Sequence, residues 1–149
     1  MANLEISIND AEIAGAFRPL LSRVLNPQPI LKRFAQYKLR VIDDGFRNEV
    51  SPDGTPFRKL SEKYLKRKAK KGGRSKTLQF KGFLRASIQV RGLTNDTLII
   101  APDTLQIPYA AAQQFGQPNR PDLAIPYLGF TEEDRLELEI LTIEYLSGG

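Results

Sequence analysis

The chain contains no cysteine, no histidine and no tryptophan, and its single methionine is the first residue. Without cysteine there can be no disulfide, thiolate metal site or thiol nucleophile, a composition that fits a reducing interior. Without histidine the usual general base near neutral pH and the commonest metal ligand are both missing. Any catalysis would have to run on carboxylates, lysine, tyrosine, serine or threonine, so the expectation is a protein that is not an enzyme and carries no metal or cofactor. Nowhere do 18 consecutive apolar residues occur, and the opening MANLEISINDAEIAG has no basic stretch leading into an apolar run. The expectation is therefore a soluble chain made in the cytoplasm.

What is present describes one domain spanning 1–149. Its 149 residues, 41% hydrophobic and 26% charged, suffice to bury a core without staples. The net charge of +5 hides a division. Residues 1–101 hold 20 Lys and Arg against 9 acids, whereas residues 102–149 hold 2 against 8. A bipolar chain of this kind can draw DNA to one part, or pack head to tail on copies of itself.

Along the chain, Leu4, Ile6 and Ile8 alternate with polar residues as in a short strand. Asn9 with Glu12 then reads as a helix start, and Ile13, Phe17, Leu20, Leu21 and Val24 follow at helical spacing. Pro19 falls inside that pattern and is expected to kink or divide it. After the break at NPQP, Ile30, Phe34, Tyr37, Val41 and Phe46 predict an amphipathic helix over about 30–50, with Lys32, Arg33, Lys38, Arg40 and Arg47 on its basic face. The corner SPDGTPF should return Phe57 and Leu60 to the core, with Ser61 capping a short helix through Ala69 that ends at Gly72 and Gly73. A turn of helix at Phe83 and Leu84 precedes a hairpin, Ile88 and Val90 pairing across LTNDT with Leu98 to Ile100. IPYAAAQQFG reads as a short helix, and Thr131 with Asp134 opens a last helix over about 132–146. The fold class is α+β, a small, mostly antiparallel sheet packed by the 30–50 helix and the C-terminal helix.

Residues 58–76 carry ten Lys and Arg against one acid, Glu62. Two readings stay open for this run, which overlaps a basic loop able to flex over 66–78: phosphate contact, or a solvated segment that confers solubility. Lys66, Lys70, Lys71, Arg74 and Lys76 are the candidates to face DNA or a partner. KKGGRSKT is not a phosphate loop, because Ser75 rather than glycine precedes Lys76 and a helix rather than a strand comes before it. No helix-turn-helix, zinc finger or aromatic RNA-binding motif is present to read bases. Asp43, Asp44, Asp53 and the Glu132–Asp134 cluster lack calcium-loop spacing, and the last fits helix capping better than metal binding. Tyr109 and Phe115 bracket a helix and are expected to pack in the core rather than form a binding platform.

The order of four pieces resembles the phage virion morphogenesis family. These are PDGTPF after a helix ending in Phe46, FKGFLRASI (residues 80–88), YAAAQQFG (109–116) and IPYLGFTEED (125–134). The family usually has Trp where Phe57 stands and His where Gln113 stands. The resemblance implies a structural virion protein of the tail and neck, which caps the finished tail tube and joins the tail to the head. It implies a homohexameric ring whose partners are tail tube and sheath proteins and the head connector; the basic segment, read from its charge alone, could line a channel for DNA in that ring. The alternative is a non-specific nucleic-acid-binding protein that uses the basic segment 58–76.

Overall fold

In the computed structural model of the chain, residues 10–73 and 82–148 are described. The strand expected at Leu4 to Ile8, the Asn9 cap, and Arg74 and Lys76 lie outside them, as do the side chains of Glu12, Ile13 and Phe17. Helix α1 spans Asp10–Leu25 and α2 Gln28–Asn48. Then come α3 (Glu62–Lys70), α4 (Phe83–Ser87), strands β1 (Gln89–Leu93) and β2 (Leu98–Ala101), α5 (Ala110–Phe115) and α6 (Glu132–Leu146). The two strands form one antiparallel hairpin, and α2 lies against both of them and against α6.

Pro19 does not divide the first helix; α1 runs through it. The proline removes the N–H that would serve the Gly15 carbonyl. Gly15 and Pro19 are exposed, so water can take that carbonyl instead. Two contacts tie the end of α1 to α6: Arg23 donates to the Leu146 carbonyl (3.1 Å), and the Tyr145 hydroxyl donates to the Asn26 carbonyl (2.8 Å).

Helix α2 supplies the spine. Ile30, Phe34, Ala35, Ile42 and Phe46 are buried along it, while Tyr37 and Val41 stand at the rim. Lys38, expected on the basic face, is buried as well; it reaches Asp134 at the start of α6. Phe46 is fully enclosed, with Phe57 set edge-on at 6.1 Å and Tyr127 tilted at 5.5 Å. Leu84, Ile88, Ile107, Ala110 and Ile125 complete this core. Aromatic side chains contribute the largest buried area per residue, so truncating Phe46 to alanine should cost about 3–5 kcal/mol.

The corner after α2 is a tight hairpin loop. Glu49 ends the helix in the left-handed region (φ 55°), and the Val50 N–H returns to the Gly45 carbonyl. Gly54 N–H donates to the Ser51 carbonyl across Pro52 and Asp53, Ser51 N–H to Thr55, and Phe57 N–H to Glu49. The Asp53 carboxylate accepts from Thr55 N–H, so its acidity serves the turn. Phe57 is thereby driven into the core.

In the hairpin, Gln89 pairs with Ala101 and Val90 with Ile100, then Gly92 with Ile99 and Leu93 with Leu98. Arg91 is the extra residue at the bulge, and its guanidinium folds back onto the Ala101 and Ser87 carbonyls. After α5, the extended segment from Ile125 to Leu128 is held by Gln114. The side-chain oxygen of Gln114 accepts from Tyr127 N–H (3.0 Å) and Leu128 N–H (2.9 Å), while its amide donates to the Leu128 carbonyl (2.9 Å).

Candidate functional surface

Helix α3 carries the dense part of the basic run. Ser61 caps it by accepting from Tyr64 N–H. At the other end Gly73 N–H returns to the Lys68 carbonyl and Gly72 N–H to Ala69, with Gly72 left-handed at φ 72°. These paired bonds are the glycine-dependent Schellman stop. Lys66, Lys70 and Lys71 are all exposed there. The structure thus places three of the five candidate cations on or beside one short helix.

Lys68, which the sequence does not distinguish from its neighbours, is 4% exposed. Burial pushes its ammonium below the usual lysine range, and the Glu49 carboxylate opposes that shift. Tyr64, Arg67, Lys68 and Lys71 line a cleft of about 160 Å³. Helical phase alone groups these four at i, i+3, i+4 and i+7, but a lysine drawn inward leaves no composition signal.

The carboxylates of Asp43, Asp44 and Asp134 are occupied structurally. Arg85 grips Asp43 with two bonds (2.5 and 2.7 Å), holding that carboxyl below its ordinary range and fastening α4 to α2. Arg47 also reaches Asp43 and Asp44. Asp134 and Thr131 form a reciprocal capping box. Asp134 Oδ2 takes both the Lys38 ammonium (2.5 Å) and Thr131 N–H (2.9 Å). Burial opposes ionisation of Asp134, yet these donors overcome it and hold the carboxyl low. Among the described residues no three metal-ligating side chains converge.

A cavity of about 530 Å³ beside the hairpin includes Ser87, Asp103 and Arg91. Here too the polar groups serve the backbone: Ser87 Oγ donates to Leu84, and Asp103 Oδ1 accepts from Leu105 and Gln106 N–H. Tyr127, whose hydroxyl donates to the buried Ala110 carbonyl, is pushed up to about 12 by burial.

Tyr109 and Phe115 are not core residues; they are 46% and 74% exposed. Six residues apart, the two fall about 120° from each other around the helix, and Ala110 is the residue α5 buries. Helix α6 is apolar on two sides. Asp134, Leu138, Leu141 and Tyr145 fall on the side towards α2, whereas Leu136, Ile140 and Ile143 form an exposed ridge. Helical phase sets Glu133, Glu137 and Glu144 along one flank of that ridge and Glu132 and Glu139 along the other. Arg135 pairs with Glu132 and Glu139. Among the described residues no cation pairs with Glu133, Glu137 or Glu144. No helix among the described residues is long and apolar enough to cross a membrane.

No curated protein and no solved structure matches this chain. The family model of the phage virion morphogenesis family matches residues 8–147, nearly the whole length and every element of the fold. The chain belongs to the phage virion morphogenesis family.

Proposed function

We propose that this virion assembly protein acts at the tail–head junction, capping the finished tail tube and joining the tail to the head. The observation that carries the reading is the family match over residues 8–147. Two features of the chain support it. Asp43, Asp44 and Asp134 are spent on a cap and ion pairs, and among the described residues no three metal-ligating side chains converge. The exposed ridge of α6, apolar and flanked by glutamates, suits a contact with a cationic surface, and among the described residues exposed cations cluster on α2, on α3 and just before α3. Copies arranged head to tail would satisfy that demand, and closing them gives a ring, here proposed as a hexamer. In such a ring Lys66, Lys70, Lys71, Arg74 and Lys76 would face the DNA in the lumen, with tail tube, sheath and head connector proteins as axial partners.

Electron microscopy of a lysate from the phage or prophage carrying this gene, with the gene deleted, tests the role. Filled heads lying apart from tails of abnormal length are expected. Normal joined virions would remove it and leave non-specific binding of nucleic acid by the basic segment as the better reading.

A further inference from the structure

The cations of α3 divide by helical phase. Lys63, Lys66 and Lys70 project from one side, whereas Tyr64, Arg67, Lys68 and Lys71 line a concave surface. Within that surface the Arg67 guanidinium carbon lies 5.2 Å from the centre of the Tyr64 ring. A guanidinium over an aromatic face is held in place and loses less freedom when it binds. Lys68 contributes from below, almost wholly buried, where the low dielectric strengthens its field. The Glu49 carboxylate acts on Lys68 against the effect of that burial. The volume, about 160 Å³, is about that of five waters and well below what a nucleoside-sized ligand occupies.

We propose that this face of α3 binds a single phosphate group, its oxygens shared between Arg67, Lys68 and Lys71, with Tyr64 orienting the guanidinium. Arg67 supplies a planar fork for two oxygens, and the two ammonium groups act as point charges on the others. The phosphate can belong to a nucleic-acid backbone or be free in solution. The site does not depend on the tail-completion role, so either can fail while the other stands. It differs from diffuse attraction by the basic run as a whole, because it assigns the energy to one face of one helix.

Two double variants that remove equal charge separate these ideas: Arg67→Gln with Lys71→Gln, and Lys59→Gln with Lys63→Gln. All four positions are exposed, so both proteins should fold, which thermal melting followed by circular dichroism verifies. Binding of a fluorescent 20-base-pair duplex is read by anisotropy, and binding of inorganic phosphate by the shift it causes in melting temperature. For a backbone phosphate, duplex affinity falls about tenfold in the first variant and less than about twofold in the second. For free phosphate, the melting shift appears in the wild type and the second variant and is lost in the first, with no duplex binding by any of them. Equal weakening of duplex binding in both variants without a phosphate shift, or no response of the wild type to either probe, overturns the proposal.

Discussion

Lys38 and Asp134 stand 96 residues apart in the sequence and 2.5 Å apart in the fold. The pair joins α2 to the first turn of α6, and Asp134 caps that turn as well. Removing one member leaves the other buried and unpaired, so Lys38→Met should cost about 3–5 kcal/mol in urea unfolding. Lys38→Met combined with Asp134→Leu should recover most of that loss, because two apolar groups leave no orphaned charge. Acid titration gives a second check. The folded carboxyls of Asp134 and Asp43 both lie below their unfolded values, so their contribution to stability is present above the unfolded value of about 3.9 and is lost as pH falls through the folded ones. Asp134→Asn should therefore show a shallower loss of stability below about pH 4 than the wild type, each referenced to its own value at pH 7. An acid limb of unchanged steepness would mean that Asp134 is not one of the groups driving acid unfolding.

Among elements, two glycines of positive φ differ in what a Cβ would meet. Gly54 and Gly116 both have positive φ, 88° and 79°. A Cβ on Gly54 would meet nothing within 4 Å, whereas one on Gly116 would lie 2.7 Å from Pro121 Cα and 2.8 Å from its carbonyl oxygen. Gly54→Ala should cost about 1 kcal/mol, the left-handed penalty alone. Gly116, at φ 79° and ψ −179°, sits in a region essentially reserved for glycine, and a Cβ there must also move the backbone after α5, so the loss of Gly116→Ala in urea unfolding should be at least twice as large. Equal losses would show that the 116–121 loop yields freely. The start of α6 was legible because Thr131 and Asp134 sit three apart and cap each other locally, and the stop of α3 because Gly72 and Gly73 follow its last turn. Ser61, the hairpin and Phe57 were legible on the same local grounds. Lys38 was not, because its partner is remote. Tyr109 and Phe115 misled because aromatic residues beside a short helix are usually core, while here alanine takes the inward position. For the candidate surface, the sequence showed how many cations there are. Helical phase groups those that share a face, but which face turns inward followed only from the burial of Lys68.

At the scale of the whole molecule, the exposed ridge of α6 offers a way to tell head-to-tail assembly from a symmetric pair. If two copies met through α6 on both sides, Glu133 and Glu144 would face their own kind, and repulsion would weaken the contact. Replacing both with lysine would still set like against like, so such a pair should respond little. In a head-to-tail contact the ridge meets a cationic surface of the neighbour, and the same reversal turns attraction into repulsion. Glu133→Lys with Glu144→Lys should then abolish assembly, while Glu133→Lys alone should weaken it. The fold should tolerate the change. Both positions are exposed, lysine is unfavourable near the start of α6 and favourable near its end, and the two dipole effects, each about 0.3–1 kcal/mol, offset one another. Ile140→Glu with Ile143→Glu should dissociate either kind of assembly, since it removes the apolar centre both need. Light scattering after size exclusion, at low and at high salt, reads the mass directly. Loss of the oligomer in both double variants, with the charge reversal showing the stronger salt dependence, supports rings built head to tail. Survival of the charge-reversed oligomer with loss of the isoleucine variant would establish a symmetric contact, and a closed head-to-tail ring through α6 would have to be abandoned.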